Sequence, residues 1–316
     1  MVFNKLSNNF INKQTILITG ITGFLGKRIA DHFINLGFLI IAPTRKHTRL
    51  NTINSNLLIC NYKNLKKILS KRRVDFIFHF AALTRVNHDD QDLIYKTNIE
   101  LAKYIKTIAD ICKPKMIIFT STISIYGEVY YPLMRFYSPI NYAKIDAYGK
   151  SKLLAEKILS ESCNDIGCRL ITFRLPGIVG YGSHSNLISK LIRNFLSDSK
   201  ELIYLINPEN SFNNVVDINT FISYLDLVVN PNYKSFGQIN TLLACKEPIT
   251  IKKVTQLIIN GLGLDKSTNK RIIWKISNSN SFTIDSNYQK QFLLEPISTT
   301  KCINNLCKDI INKGKI

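Results

Sequence analysis

The sequence predicts an α/β fold: a doubly wound parallel sheet with a smaller α/β domain formed mainly by the C-terminal region. Three observations predict it. Short apolar, β-branched runs alternate with amphipathic stretches from Thr15 to Phe119. The first run leads directly into a glycine turn, Gly20-Ile21-Thr22-Gly23-Phe24-Leu25-Gly26, which opens a helix. The spacing between runs suits repeated strand–helix units.

Thr15–Thr19 is the first strand, apolar enough to be buried on both faces. Gly20 permits the tight turn, Gly23 lets backbone approach a pyrophosphate, and Gly26 lets the helix pack closely on the sheet. The first N–H groups of that helix face negative charge. The spacing is G-x-x-G-x-x-G, a departure from the commonest dinucleotide fingerprint. Ile29, Phe33 and Leu36 mark the helix face, which ends at Gly37. Phe38–Ala42 is the second strand, followed by Pro43-Thr44-Arg45-Lys46 and Arg49. A carboxylate usually binds the ribose diol of NAD near this point, and none is present. Thr44, Arg45 and Lys46 would suit a 2′-phosphate, so NADP(H) is favoured over NAD(H).

The third strand runs from Asn56 to Cys60, with Asn61 and Tyr62 at its end and a helix around Leu65 to Ser70. Phe76–Ala82 is the fourth strand, where small Ala81 and Ala82 after Phe80 let a cofactor lie against the backbone. His79 sits within this apolar run and reads as a hydrogen-bonded core histidine. A helix from Leu93 to Ile111 carries Asn98, and Lys115–Phe119 is the fifth strand. It runs into Thr120-Ser121-Thr122-Ile123-Ser124-Ile125-Tyr126-Gly127. Ligands of Rossmann-like sheets bind beyond the carboxyl ends of the strands, which is where these hydroxyls collect.

Tyr148 and Lys152 are one helical turn apart and share a face. An ammonium beside a phenol stabilises phenolate, making an acid or base able to move a proton on a carbonyl or alcohol oxygen. Alone, Y-x-x-x-K is also an ordinary surface pair. Its position after the glycine turn and the hydroxyl-rich strand end favours chemistry.

In this order, these segments resemble the extended short-chain dehydrogenase/reductase family, in its nucleotide-sugar epimerase, dehydratase and reductase branch. The marks are Thr19 to Gly26, His79-Phe80-Ala81-Ala82, Asn98, Phe119 to Gly127, Tyr148-Gly149-Lys150-Ser151-Lys152, and Arg174-Leu175-Pro176-Gly177-Ile178-Val179-Gly180. The resemblance spans Thr15 to about Phe236. It implies that Tyr148 is the general acid/base, that Lys152 holds the nicotinamide ribose, and that Thr122 hydrogen-bonds the reacting oxygen. It implies cofactor contacts at Gly20, Thr22, Gly23, Phe24, Leu25, Gly26, Asn61, Tyr62, Phe80, Ala81, Ala82, Asn98, Thr120 and Pro176. Thr84 and Ser124 would face substrate. Three departures bear on activity. Ile123 and Ser124 stand where 4,6-dehydratases of the family carry an Asp-Glu pair, so dehydration is disfavoured. Cys60-Asn61 replaces the Asp that often touches adenine, and the loop from Glu128 to Ala147 lacks the usual Pro-x-x-Glu run. The favoured reaction is NADPH-dependent reduction of a nucleotide-linked 4-keto-6-deoxyhexose. The alternative is an NAD(P)-dependent nucleotide-sugar epimerase with a transient keto intermediate.

Residues 1–176 are expected to form the dinucleotide-binding domain, with 214–245 returning to it; 177–213 and 246–316 form the substrate domain. Tyr181 to Asn186 reads as a loop before a helix from Leu187 to Phe195. His184 either touches substrate or caps that helix. Lys190 and Arg193 either meet a diphosphate or belong to a solvated helix face, and Arg271 is a candidate phosphate contact.

At 316 residues the chain can bury one large and one smaller core. The polar stretch Met1 to Lys13 lacks the apolar core of a signal peptide, and no run is apolar enough to span a membrane, so a cytoplasmic protein is expected. Seven scattered cysteines read as reduced thiols, and no metal site is expected. The net charge of +20 raises the question of nucleic acid, but the cations are dispersed except at Lys66, Lys67, Lys71, Arg72 and Arg73, with no aromatic interleaving. A nucleotide-sugar substrate and a homodimer are the expected partners.

Overall fold

The computed structural model describes residues 14–45, 55–84, 88–197, 201–233, 237–278, 280–292 and 294–314. Met1 to Lys13, Lys46, Arg49 and Phe236, all invoked above, lie outside the described residues. In chain order the first elements are β1 (Thr15–Thr19), α1 (Phe24–Asn35), β2 (Leu39–Thr44), β3 (Leu57–Asn61), α2 (Tyr62–Leu69), β4 (Phe76–His79), α3 (Gln91–Cys112) and β5 (Met116–Thr122). Then come β6 (Leu133–Met134), α4 (Ala147–Ile166), β7 (Arg169–Leu175), β8 (Gly177–Val179), α5 (Leu187–Leu196), β9 (Ile203–Ile206), β10 (Ser211–Phe212), β11 (Val215–Asp217) and α6 (Ile218–Val229). The last are β12 (Gln238–Leu242), β13 (Ile249–Thr250), α7 (Ile251–Gly261), β14 (Ile272–Lys275), β15 (Thr283–Ile284) and α8 (Thr299–Lys313).

Seven strands form one sheet in the order β12-β7-β5-β4-β1-β2-β3. The pairs β1–β2, β1–β4, β2–β3 and β4–β5 are parallel. Chain order therefore reverses between β1 and β4, and their carboxyl ends form the switch point where such sheets bind ligands. β1, β4 and β5 are buried throughout, as strands covered by helices on both faces must be. β4 ends at His79, so Phe80 to Ala82, read above as strand, leave the sheet and run along its rim.

Contacts divide the chain into two compact units. Within the described residues, the first draws on Met1–Ile125, Ile145–Phe173 and Ser235–Asn240. Its core gathers Leu17, Ile41, Ile77, Ile117 and Phe119 from the strands with Leu65, Ala102, Ile105, Ala155 and Leu159 from the helices. The second unit comprises Tyr126–Lys144, Arg174–Lys234 and Thr241–Ile316. Its core gathers Ile188, Leu191, Ile192, Phe195, Val254, Ile258, Ile303 and Leu306. The segment after Ile125 groups with the second unit through Arg174. That guanidinium lies over the rings of Tyr126 and Phe136, and donates to the Tyr126 hydroxyl at 3.0 Å and to the Phe136 carbonyl at 3.3 Å.

Candidate active site

The glycine turn is held by backbone approach. Gly20 has φ +79°, a left-handed conformation that L side chains rarely adopt, and a Cβ there would stand 2.8 Å from the Ala81 amide nitrogen. A Cβ on Gly26 would overlap the Gly20 carbonyl. The Gly23 N–H donates to the Gly20 carbonyl at 3.0 Å, and Gly23 caps α1 with no side-chain oxygen. The start of α1 therefore has N–H groups without a side-chain acceptor, which suits a diphosphate. Thr22, Phe24 and Leu25 lie on the same turn and first helical residues.

Thr19 Oγ1 sits 2.8 Å from His79 Nδ1 and accepts from the Ala81 N–H at 3.2 Å. His79 stacks on Phe119, and the Lys152 ammonium lies over the Phe119 ring at 4.2 Å. Burial, with Lys152 adding to it, pushes His79 down to about 3, so it stays neutral in the core. Lys152 is 2% exposed; burial pushes its ammonium down to about 7, and the nearby Glu156 carboxylate acts against that shift.

The helix that carries Tyr148 begins at Ala147, where the Asp146 side chain caps it by accepting from the Gly149 N–H at 2.7 Å. Gly149 presses its backbone against the turn after β5. A Cβ at that position would stand 2.5 Å from the Ser124 carbonyl oxygen. This contact sets the first turn of α4, with half-buried Tyr148, beside the strand end that carries Thr122 and Ser124. Thr122 Oγ1 accepts from the Ser124 N–H at 3.2 Å and donates to Ser124 Oγ at 3.3 Å. Among the described residues of the turn Ile123–Tyr126 there is no carboxylate.

Several of the expected site residues already have protein partners. Asn98, expected against the cofactor, is 4% exposed and has both amide hydrogens committed, to the Leu83 carbonyl and to Ser151 Oγ, each at 3.0 Å. Its carbonyl accepts from the Leu83 N–H at 2.7 Å, and Ser151 Oγ in turn donates to the Tyr148 carbonyl at 2.7 Å. Asn98 is thus a positioning residue that ties the exit of β4 to α4. The Thr120 hydroxyl donates to the His79 carbonyl at 3.4 Å. Thr44 is buried, with its hydroxyl aimed at the Cys60 carbonyl between β2 and β3, so it does not present that group to a 2′-phosphate. Arg45 is exposed at the end of β2, near enough to oppose the burial that pushes the Tyr62 phenol up to about 12. Asn61 Oδ1 caps α2 by accepting from the Lys63 N–H at 2.9 Å. Phe80, Ala81, Ala82 and Thr84 are half-buried along the rim.

In the second unit the cap of α5 is Asn186, not His184. His184 is exposed, and its carbonyl accepts from the Arg193 guanidinium at 2.8 Å. Arg271 donates to the Glu201 and Asn194 carbonyls at 3.2 and 3.0 Å. Both guanidinium groups are hydrogen-bonded to backbone carbonyls. Lys190 is exposed on α5, and Pro176 is half-buried between β7 and β8. Sequence reasoning missed a pocket of about 230 Å³ walled by Leu187, Leu205, Ile206, Ile251 and Phe282, with Asn210 and Asn214 supplying polar edges. The Asn214 amide nitrogen donates to the Phe282 carbonyl at 3.3 Å, while its buried Oδ1 meets no protein partner.

The sheet order, the glycine turn at the switch point and the Thr122–Tyr148–Lys152 set define a Rossmann-type NAD(P)-binding enzyme class. More particularly, the chain belongs to the NAD dependent epimerase/dehydratase family, whose match runs over residues 16–223. It is 26% identical over 239 residues to a UDP-2-acetamido-2,6-beta-L-arabino-hexul-4-ose reductase of Pseudomonas aeruginosa, covering 71% of this chain and 55% of the relative. It is 28% identical over 192 residues to a GDP-6-deoxy-D-talose 4-dehydrogenase of Aggregatibacter actinomycetemcomitans, covering 59% of this chain and 61% of the relative. The match thus spans little more than half the length of these curated relatives. Among solved structures, a UDP-glucose 4-epimerase of Thermotoga maritima is similar in fold, with TM-score 0.77, 19% identity, and 95% and 99% of the two chains covered.

Proposed function

We propose that the protein acts on a nucleotide-linked sugar through a keto intermediate, and that its reaction is epimerisation. The observation that supports keto chemistry over dehydration is the turn after Thr122, Ile123–Tyr126, which carries no carboxylate beside the expected Thr122, Tyr148 and Lys152. That set suffices for moving hydride and one proton but lacks the acid that dehydration requires. Relatives named as epimerases support it, including an ADP-L-glycero-D-manno-heptose-6-epimerase of Brachyspira hyodysenteriae, 32% identical over 125 residues.

In this reading the chemistry a bound nicotinamide dinucleotide would supply is reversible acceptance of hydride. The Gly20–Gly26 turn and the open start of α1 hold its diphosphate, and Lys152 meets its ribose. Tyr148 removes the sugar hydroxyl proton as hydride leaves, and gives the proton back when the turned keto sugar is reduced from its other face. Thr122 holds the sugar oxygen, with its own orientation fixed by Ser124. The pocket around Asn214 takes the planar base, since apolar walls and one buried acceptor suit a ring with an N–H edge.

A second reading, reduction of a 4-keto-6-deoxy sugar by NADPH, is favoured by Arg45 at the end of β2 and by the reductase named among the relatives. Incubation with nucleotide-linked hexoses and their 4-keto-6-deoxy forms separates the two, with nicotinamide absorbance and the sugar's NMR spectrum followed together. Inverted stereochemistry without net cofactor consumption is the expected result. Stoichiometric NADPH oxidation would replace epimerisation with reduction. Neither change would overturn both.

A further inference from the structure

The last turn of α4 ends in a backbone motif whose two contact positions are both cysteine. Gly167, at φ +68°, terminates the helix; its N–H donates to the Asn164 carbonyl, and the Cys168 N–H donates to the Cys163 carbonyl at 2.9 Å. In such a helix end, the residues joined by the longer bond normally make an apolar side-chain contact. Here the contact is thiol to thiol, with Cys163 donating to the Cys168 sulfur. Cys163 is fully buried and Cys168 is 8% exposed. We propose that Cys163 and Cys168 form a peroxide-reactive dithiol, a modification site at the end of the catalytic helix that closes reversibly to a disulfide.

The environment of the two sulfurs supports a division of roles. The Cys163 S–H, the Ile117 N–H and the Arg169 charge hold Cys168 below the ordinary thiol range, against its burial and with its own S–H donating to the Arg169 carbonyl at 3.3 Å. The same hydrogen bond and burial raise Cys163. Cys168 therefore attacks first. Its proton leaves, its sulfur bonds to one peroxide oxygen, the O–O bond breaks, and the departing hydroxide takes up a proton to become water. The Cys163 sulfur then attacks the Cys168 sulfenic acid. An S–S bond forms, the S–O bond breaks, and the hydroxide leaves with the Cys163 proton as a second water. Two thiols are oxidised by two electrons and one peroxide is reduced to two waters.

The second unit supplies an internal control. Cys245 and Cys302 are also hydrogen-bonded to each other, but they are 2% and 0% exposed, and the Cys302 thiol is raised by that bond and by burial. The test treats the full chain with hydrogen peroxide, alkylates it, digests it with trypsin and weighs the fragment Ile158–Arg169, which contains both Cys163 and Cys168. The expected product is a fragment lacking two hydrogens and resistant to alkylation until dithiothreitol is added, formed at least about ten-fold faster than any oxidation of Cys245 or Cys302. In Cys163→Ser protein, Cys168 should instead accumulate as a dimedone-reactive sulfenic acid. Oxidation of Cys245 and Cys302 at the same rate, or a dithiol fragment surviving while Cys60 or Cys112 oxidises, would overturn the proposal.

Discussion

The strand ends of the first unit and the pocket of the second solve opposite problems. Around Thr122 and Lys152 most polar groups answer one another: Thr19 meets His79, Thr120 meets the His79 carbonyl, and Asn98 meets Leu83 and Ser151, while the buried Ser121 hydroxyl meets no protein partner. Around Asn214 apolar and polar side chains share the wall, and one buried carbonyl oxygen has no protein partner. The first region is organised before any ligand arrives, as chemistry at a fixed oxygen demands. The second leaves its acceptor for a ligand to satisfy, as recognition demands.

The sharpest break of that contrast is Tyr148→Phe. Turnover should fall by about 10²–10⁴-fold with the circular dichroism spectrum unchanged, because a proton donor is lost and the helix is not. Asn98→Ala strikes the same region through its scaffold. It removes both partners of Leu83 and one of Ser151, so stability should drop by about 2–4 kcal/mol in a denaturant titration, and kcat should fall with little change in KM. Gly26→Ala should cost at least about 1–3 kcal/mol and weaken dinucleotide binding, read by calorimetry, since its Cβ would have to displace the Gly20 carbonyl and the backbone at Ile21. Asn214→Ala tests the other side of the contrast. KM for the nucleotide sugar should rise by about 5–30-fold at constant kcat, whereas an equal loss in kcat would assign Asn214 to the chemistry.

The last prediction concerns pH. Lys152 falls from an ordinary 10.5 to about 7 on folding, so above pH 7 the unfolded chain binds more protons than the folded one. Stability of the ligand-free protein should therefore gain from this group as pH rises from 7 toward 10.5, by at most about 1.4 kcal/mol per pH unit. Lys152→Met should flatten that part of the slope between pH 7 and 9. An unchanged slope would show that the lysine is solvated.

The contrast also explains what the sequence revealed. Strand β1, the glycine turn, α1 and the Tyr148–Lys152 pair are local patterns, and each was legible because its neighbours in sequence are its neighbours in space. Asn98 was legible as part of the active-site helix, but its partners lie 15 and 53 positions away, so its role as a brace was not. Arg193 and Arg271 read as phosphate ligands because charge is visible in a sequence and backbone carbonyls are not; Arg271 reaches carbonyls 70 and 77 residues distant. The pocket draws on separate segments from Leu187 to Phe282, and no periodicity joins them.

The approach of Gly149 to the Ser124 carbonyl has a consequence for how this chain can change over time. The tyrosine's position relative to the β5 turn is inherited from two main chains in contact, one of them lacking a side chain, and not from a particular pair of side chains. Surfaces and loops can therefore be rewritten extensively while that geometry stays in place.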